Sequence, residues 1–383
     1  MKILTVVGAR PQIIKAAAIS RAISRKFPEF LEEAILHTGQ HYDQNMSNIF
    51  FEELEIPLPL FNLYVGSESH GKQLAEMITG IEKALLDYTP DMVLLYGDTN
   101  STLAGAMAAA KINIPIAQIE AGLRSFNKSM PEEINRIMTD HVSTLLFSPT
   151  VKGIENLVKE GFKKDAAAPF NTDNPKVYHC GDVMYDNSLY FSDRAEKETD
   201  ILEKHGLKKE KFILATVHRN NNTDDKERLN AIFSALNDIS TKKDCQIFLP
   251  LHPRTSKLLA QNLKPELFKL ISENKKFIIA PPASYLEMIA LEKNCSLVMT
   301  DSGGLQKEAY YFNKPCIIMR PETEWVELVE CGCALIADAD HDKITKAFAF
   351  FENQKELKFP QLYGDGKAAE FICNEIKKFF SER

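Results

Sequence analysis

Three acidic residues stand at positions where an α/β enzyme keeps its reactive groups. Asp98 and Glu120 each follow a short apolar run, and Glu132 comes directly after Pro131. Because the carboxyl ends of parallel strands meet at one edge of a sheet, the first two carboxylates are expected to lie close together. Carboxylates serve as general acids and bases. Their convergence therefore makes this edge the first candidate for chemistry.

Each carboxylate also has an ordinary structural interpretation. Asp98 can cap the helix that follows it, and Glu120 can form an ion pair with Arg124 or Arg136. Glu132 lies in the first turn after a proline, where a glutamate is common. For any one residue both interpretations stay open, and the convergence of three carboxylates favours the functional one.

Basic residues follow the first predicted strand. The sequence Gly8-Ala9-Arg10-Pro11-Gln12 forms a small turn and a helix start, with Lys15 one turn further on. Backbone N–H groups and the helix dipole favour a phosphate at such a place. The segment is neither the G-x-G-x-x-G dinucleotide fingerprint nor a P-loop. A turn with solvated basic residues is the alternative interpretation.

The second half of the chain supplies groups suited to an anion. His218 and Arg219 end another apolar run, although a lone histidine is more often structural. Asp301-Ser302-Gly303-Gly304 joins a strand to a helix through small residues, whose main-chain N–H groups can cradle a phosphate. Glu308, further into that helix, can accept both hydroxyls of a ribose.

An arginine and a pair of histidines have competing interpretations. Arg320 follows a strand directly and lies either near a phosphate or beside Glu322 or Glu324. His37 and His41 have the i, i+4 spacing of metal ligands, but a glycine stands between them and the H-E-x-x-H glutamate is missing. Structural or substrate-lining histidines are the favoured interpretation.

The elements that position these residues are predicted by the alternation of short apolar runs with helix-length segments. The predicted strands are 3–7, 33–37, 92–96, 114–119 and 145–148, then 212–217, 246–249, 277–280, 297–300 and 316–319. This alternation indicates two parallel sheets covered by helices. A loop-like stretch over 163–176 predicts a domain edge, and helical spacing predicts a last helix over about 366–379.

Composition excludes several classes of protein. The 383 residues are 44% hydrophobic and 26% charged, as in ordinary globular proteins. The net charge of −7 argues against a nucleic-acid binder. The apolar run 3–7 is too short for a signal peptide or a membrane span. The seven scattered cysteines, without a C-x-x-C pair, predict reduced thiols in a cytoplasmic protein.

Taken together and in order, the motifs resemble the signatures of the non-hydrolysing UDP-N-acetylglucosamine 2-epimerases. The matching segments span nearly the whole chain: Gly8-Ala9-Arg10-Pro11-Gln12 with Lys15, Gly97-Asp98-Thr99, Glu120-Ala121-Gly122-Leu123-Arg124, Pro131-Glu132-Glu133-Ile134-Asn135-Arg136, His218-Arg219 and Asp301-Ser302-Gly303-Gly304. The resemblance implies a GT-B architecture, with two Rossmann-like doubly wound domains and a ligand cleft between them. The N-terminal domain would cover 1–170 and be completed by a C-terminal helix within about 361–383, and the UDP-binding domain would cover 176–360.

The resemblance also implies roles for individual residues. The implied catalytic groups are Asp98, Glu120, Glu132 and His218. The groups implied to bind the UDP-sugar are Arg10, Lys15, Arg136, Ser302, Gly303, Gly304, Glu308 and Arg320. In the implied reaction UDP is eliminated across C1 and C2 to give a 2-acetamidoglucal, and a proton then returns to C2 from the opposite face while UDP adds back. No metal ion or nicotinamide is implied. The protein is expected to form a homodimer, and its product is expected to be a precursor of surface polysaccharide.

Departures from the common family pattern bear on the substrate. The first motif reads Ala-Arg-Pro-Gln instead of Thr-Arg-Pro-Glu, Asp43 stands where many members have Gln, and the stretch 66–72 lacks an expected Arg. Activation by a second UDP-sugar is therefore not expected. The substrate pair is expected to be UDP-GlcNAc and UDP-ManNAc, and family branches that epimerise a diacetamido-glucuronate or a deoxy-talose sugar are the alternatives.

Three other functions compete with this hypothesis. A GT-B glycosyltransferase shares the fold and the diphosphate-binding helix termini but does not need three carboxylates around C2. A hydrolysing epimerase would release free N-acetylmannosamine and UDP. A non-enzymatic sugar-nucleotide binding protein would show binding without turnover.

Overall fold

The computed structural model describes residues 1–40, 51–243, 245–251, 253–354 and 356–382. The chain divides into two compact units: unit 1 comprises Met1–Asn187 with Gln361–Arg383, and unit 2 comprises Ser188–Pro360. His41 and Asp43, which entered the sequence-based hypotheses, lie outside the described residues.

Unit 1 is built on a parallel sheet in which seven strands are described. They are β1 (Lys2–Val7), β2 (Glu32–His37), β3 (Phe61–Asn62), β4 (Met92–Tyr96), β5 (Ile116–Ile119), β6 (Leu145–Ser148) and β7 (Lys176–His179). The sheet order is β3-β2-β1-β4-β5-β6-β7. Strands β1, β4, β5 and β6 are almost wholly buried, because helices cover both faces of a doubly wound sheet.

The helices of unit 1 follow the strands in alternation. They are α1 (Arg10–Lys26), α2 (His70–Tyr88), α3 (Asn100–Lys111), α4 (Pro131–Val142), α5 (Val151–Lys159) and α6 (Val183–Glu198), the last of which continues into unit 2. One face of the sheet packs against α2 and α3 through a core that includes Leu4, Val6, Met77, Leu95 and Ala104.

Unit 2 repeats the architecture with six described strands, all parallel. They are β8 (Phe212–Thr216), β9 (Gln246–Pro250), β10 (Phe277–Ala280), β11 (Leu297–Thr300), β12 (Cys316–Ile318) and β13 (Ala334–Ile336), in the order β10-β9-β8-β11-β12-β13. The helices are α7 (Ile201–Lys204), α8 (Asn220–Thr223), α9 (Lys226–Lys242), α10 (Pro253–Asn262), α11 (Pro265–Glu273), α12 (Tyr285–Asn294), α13 (Gly303–Tyr311), α14 (Val326–Glu330) and α15 (His341–Asn353).

The C-terminal segment belongs to unit 1. Helix α16 (Ala368–Ser381) packs against α1, and Lys26 Nζ lies 2.5 Å from Glu370 Oε1. The Asp186 carboxylate accepts the N–H groups of Ala368 at 3.1 Å and Ala369 at 2.8 Å. It thereby supplies the cap that α16 lacks from its own N-cap residue, Lys367.

Two Rossmann-like doubly wound units confirm the predicted fold class. All ten predicted strands are present to within two residues at each end. The sequence analysis missed β3, β7 and β13 because they are two to four residues long and carry polar or half-exposed side chains. Because β7 pairs with β6, the chain stays in unit 1 through Asn187, beyond the loop 163–176 at which a domain edge was expected.

Each sheet has one point where the strand order reverses, and the candidate residues lie there. In unit 1 the reversal falls between β1 and β4, and in unit 2 it falls between β8 and β11. Ligands of open α/β sheets bind beyond the carboxyl ends of the strands at such points. In the described part of the chain, no helix is long and apolar enough to span a bilayer.

Candidate active site

The turn after β1 is locked in place by the side chain of Gln12. Its Oε1 accepts the N–H groups of Gly8 at 2.9 Å and Ala9 at 3.1 Å. Its Nε2 donates to the Tyr96 carbonyl oxygen at 3.0 Å and to Thr102 Oγ1 at 2.9 Å. One buried amide therefore joins the turn that carries Arg10 to the end of β4.

Gly8 leaves room for a second set of polar side chains at the same edge. A Cβ at this position would lie 2.1 Å from Ser101 Oγ and 2.2 Å from Thr38 Oγ1. These two hydroxyls are 2.8 Å apart, and Gln40 Oε1 accepts from Ser101 Oγ at 2.7 Å. No side chain larger than hydrogen fits at Gly8 without displacing this group.

Lys15 and Glu120 form an ion pair at the carboxyl edge of the sheet. Lys15 Nζ lies 2.7 Å from Glu120 Oε1, and the two side chains are only 11% and 10% exposed. Glu120 has a left-handed backbone conformation, with φ of 73°. Gly97 leaves space for the pair, because a Cβ there would lie 3.1 Å from Lys15 Nζ and 3.5 Å from Glu120 Oε1.

Asp98 forms a second ion pair beside the first. Arg136 Nη2 donates to Asp98 Oδ2 at 2.5 Å, and Asn135 Nδ2 donates to the Asp98 carbonyl oxygen at 2.9 Å. Burial raises the pKa of the Asp98 carboxyl above its usual value, while the positive charges of Arg136 and Lys15 oppose that rise and Glu120 adds to it. The carboxyl is thus held under opposing influences that suit a proton-transfer group.

The structure decides between the interpretations that the sequence left open. Helix α3 is capped by the Thr99 side chain, which accepts the Thr102 N–H, so the cap is not Asp98. Glu120 is paired with Lys15 and not with Arg124, since the Arg124 guanidinium binds Asp140 at 2.8 Å and Glu160 at 2.7 Å.

Glu132 stands apart from the two ion pairs. It is half-buried in the first turn of α4, and none of the contacts between described residues joins it to Asp98 or Glu120. The structure thus brings together Asp98, Glu120, Lys15 and Arg136. It places Glu132 one turn before Arg136 on α4. The Arg10 side chain is exposed at the start of α1.

In unit 2 the buried Asp301 organises the loop that carries His218. Its carboxylate accepts the backbone N–H of His218 at 3.1 Å and of Arg219 at 3.0 Å, and it accepts Asn222 Nδ2 at 3.1 Å. The His218 side chain is 44% exposed, with Nδ1 3.5 Å from Asp301 Oδ1. The imidazole is therefore directed by a wholly buried carboxylate while its ring stays accessible.

The start of α13 forms the small-residue corner expected of an anion site. Ser302 is the N-cap and Gly303 and Gly304 open the helix. Trp325 Nε1 donates to the Gly303 carbonyl oxygen at 3.0 Å. A Cβ on Gly303 would meet Glu324 Oε1 at 2.4 Å, so a larger residue here would displace the Glu324 carboxylate.

Arg320 lies beside this corner and is paired. Its guanidinium forms an ion pair with Glu324, which is one of the two alternatives that the sequence offered. Glu308 is half-buried in the second turn of α13. On α12, burial raises the pKa of the Glu292 carboxyl, and the negative charge of Glu308 adds to that rise.

Several residues of the site were not singled out from the sequence. Gln12, Glu133 and Asn135 hold backbone groups of Gly8, Ser125 and Asp98 through buried or part-buried hydrogen bonds. Their residue types are common, and the only available signal was their position inside the motifs. Among the described residues, no group of three or more His, Cys, Asp and Glu side chains is placed to hold a metal ion.

Comparison with known proteins gives matches over almost the whole chain. Residues 24–377 match the family described as UDP-N-acetylglucosamine 2-epimerase. The chain is 47% identical over 379 residues to the UDP-2,3-diacetamido-2,3-dideoxy-D-glucuronate 2-epimerase of Pseudomonas aeruginosa, with 99% of this chain and 100% of that protein covered. It is 40% identical over 374 residues to the UDP-N-acetylglucosamine 2-epimerase of Methanocaldococcus jannaschii, with 97% and 98% covered.

A solved structure is similar over the same extent. The crystal structure of the M. jannaschii UDP-GlcNAc 2-epimerase in complex with UDP-GlcNAc and UDP matches with a TM-score of 0.85 at 39% sequence identity. The match covers 99% of this chain and 100% of that one.

Proposed function

The chain belongs to the UDP-N-acetylglucosamine 2-epimerase family, and we propose that it inverts C2 of a UDP-linked 2-acetamido sugar without hydrolysing it. The observation that carries the proposal is the pairing of Asp98 with Arg136 and of Glu120 with Lys15 at one sheet edge. An epimerase needs one group to take the C2 proton and another to return a proton to the opposite face. Two neighbouring carboxylates with separate cationic partners meet that need.

The reaction divides into an elimination and an addition. In the first step a carboxylate takes the C2 proton, the electrons of the C2–H bond form the C1–C2 double bond, and the C1–O bond breaks so that UDP leaves with its electron pair. In the second step a carboxyl group protonates C2 from the other face while a UDP oxygen bonds to C1. Asp98 and Glu120 are proposed for these proton transfers, with Glu132 and His218 as further acid–base groups.

The departing UDP carries most of the developing negative charge. We assign its binding to Arg10 and Lys15, the corner formed by Ser302, Gly303 and Gly304, and Glu308 and Arg320. A helix N-terminus and fixed cations stabilise a diphosphate without reorganising during the reaction. Asp301 supports the corner, because it fixes the backbone that presents His218.

The sugar is proposed to be the diacetamido-glucuronate type. The chain is 47% identical to the P. aeruginosa enzyme named for that sugar and 40% identical to the M. jannaschii enzyme named for N-acetylglucosamine. UDP-N-acetylglucosamine, the first expectation from the sequence, is the second candidate.

A parallel product assay tests the reaction and the sugar together. The protein is incubated separately with UDP-2,3-diacetamido-2,3-dideoxy-glucuronate and with UDP-N-acetylglucosamine, and the anomeric proton signals are followed by NMR. We expect an equilibrium mixture of two UDP-sugar epimers, formed faster from the first substrate. Release of free sugar and UDP would instead identify a hydrolysing enzyme, and transfer to an acceptor a glycosyltransferase.

A further inference from the structure

Two adjacent glutamates at the start of α4 lie in different surroundings. Glu132 is half-buried, whereas Glu133 is 1% exposed. The Glu133 carboxylate accepts the N–H of Ser125 at Oε2 and of Phe126 at Oε1, both at 2.9 Å. It also accepts Arg136 Nη1 at 2.9 Å. Both oxygens of Glu133 are therefore fixed by donors from two different parts of unit 1.

Through Arg136 the Glu133 carboxylate is connected to Asp98. The same guanidinium that donates Nη1 to Glu133 donates Nη2 to Asp98. Because the guanidinium is planar and rigid, fixing one of its nitrogens restricts the direction in which the other points. Asn135, on the same helix, holds the backbone of Asp98 through its carbonyl oxygen.

The other two contacts of Glu133 act on the loop that carries Glu120. Ser125 and Phe126 come five and six residues after Glu120, and Phe126 has a left-handed φ of 57°. Their N–H groups are satisfied by Glu133 instead of by neighbours in the loop. One buried carboxylate thus contacts both the cation that binds Asp98 and the chain that follows Glu120.

We propose that Glu133 is a positioning residue, which fixes the Asp98–Arg136 pair and the loop after Glu120 relative to each other without touching the sugar. The inference rests on the proposed function, because it assigns Asp98 and Glu120 to proton transfer. Of the two neighbouring glutamates, Glu132 is then the one available to the substrate, and Glu133 acts through Arg136.

Glu133→Gln tests the proposal, because glutamine keeps the size and removes the charge. We expect kcat to fall about 10-fold to 100-fold, as for a small misplacement of reacting groups, with KM for the UDP-sugar unchanged. Among the described residues, the charged groups that act on Asp98 are Arg136, Lys15 and Glu120. Without the negative charge of Glu133, the positive charge of Arg136 acts more strongly on Asp98. The limb of the pH–rate profile that reports Asp98 should therefore move to lower pH.

Two further variants make the result specific. Glu33→Gln is the matched control, because Glu33 is a half-buried glutamate of unit 1 on β2 that accepts the Thr5 hydroxyl and lies outside the site. It should keep the wild-type kcat and pH profile. Glu133→Asp retains the charge but shortens the side chain. In Glu133→Asp the pH limb should stay at its wild-type position while kcat falls. If Glu133→Gln does not fold, Glu133→Asp tests the proposal in its place.

The outcomes separate this inference from the proposed function. A Glu133→Gln enzyme with wild-type kcat and pH profile would overturn it, as would a kcat loss that Glu33→Gln reproduces. If the wild-type protein exchanged no C2 proton of either UDP-sugar, the proposed function would fail. The positioning role would then be read from a carbon-13 NMR titration of Asp98, in which Glu133→Gln lowers the Asp98 pKa if the inference holds and leaves it unmoved if it does not.

Discussion

At the scale of residues, two carboxylates of the candidate site, Asp98 and Glu120, are each held by a cation. An ionised carboxylate buried without a partner would be too costly to keep, whereas a pair with Lys15 or Arg136 stabilises the charge and fixes its direction. For Asp98 burial raises the pKa and the two cations oppose the rise. The pKa of the carboxyl therefore stays above its usual value, which is the direction that suits general acid–base catalysis.

Asp98→Asn should remove turnover while leaving nucleotide binding intact. The amide keeps the shape of the side chain but cannot take or give the C2 proton, so we expect kcat to fall about 10²-fold to 10⁴-fold. UDP affinity, measured by titration calorimetry, should match that of the wild type. Asp91→Asn is the control, since the Asp91 carboxylate accepts the Lys2 N–H at 2.8 Å, at the opposite end of β1 from the candidate site. Full activity in the Asp98 variant would remove this residue from the mechanism.

At the scale of elements, the turn after β5 forces Glu120 into the site. Glu120 has a φ of 73° and Gly122 a φ of 80°, and a non-glycine residue in the left-handed region costs about 1–2 kcal/mol. Asp140 accepts the Gly122 N–H at 3.0 Å, and Asn156 donates to the Gly122 carbonyl oxygen at 3.0 Å. Arg124, buried between Asp140 and Glu160, closes the turn.

Gly122→Ala tests this turn against a matched glycine. The new Cβ would lie 2.4 Å from the Gly153 carbonyl oxygen, a backbone atom that cannot move aside. Gly161→Ala has the same left-handed backbone, with φ of 99°, and open space around the new Cβ. Both variants bear a conformational cost of roughly 1–2 kcal/mol. Only Gly122→Ala adds the clash, so it alone should lose most of its activity and unfold at clearly lower urea. Equal urea midpoints for the two variants would contradict this account of the turn.

The two ion pairs show what the sequence could and could not predict. The strands were predictable because buried parallel strands are continuous apolar runs, and the residues after them follow from topology. The cationic partner of Glu120 was not predictable, because Lys15 and Glu120 are 105 positions apart. By charge alone, Arg124 was an equally good partner for Glu120. Glu133 and Glu132 are identical in type and adjacent, so only packing decides which of them is buried.

At the scale of the whole molecule, the C-terminal helix α16 returns to unit 1 and packs against α1. Asp186 on α6 holds the start of α16 through the N–H groups of two alanines. Burial raises the pKa of Asp186 to about 6 in spite of these donors. Unit 1 carries the carboxylates proposed for proton transfer, and unit 2 carries His218 and the glycine corner proposed for UDP.

The stability of the α16 attachment should fall as the pH rises. A carboxyl whose folded pKa exceeds its unfolded value contributes stability that is present below the unfolded pKa, near 4, and lost as the pH rises through the folded pKa, near 6. Asp186→Asn removes this titration. The wild type should therefore lose up to about 3 kcal/mol relative to the variant between pH 4 and pH 7.

Amide hydrogen exchange within Ala368–Ser381 measures the effect, after correction for the intrinsic exchange rate at each pH. Amides of α9 in unit 2 are the internal control and should not differ between the two proteins. A wild-type α16 that became more protected relative to the variant as the pH rose would contradict the assignment, because it would mean that the ionised carboxylate is the stabilising form.

The central claim, proton exchange at C2 through elimination and re-addition of UDP, is tested most directly in deuterated water. The protein is incubated with UDP-2,3-diacetamido-2,3-dideoxy-glucuronate, and with UDP-N-acetylglucosamine in parallel, and the C2 proton signal is followed by NMR. The account predicts deuterium at C2 of the product epimer, with an equilibrium mixture of both UDP-sugars. Epimers formed with the C2 proton retained, or no change in either substrate, would contradict it.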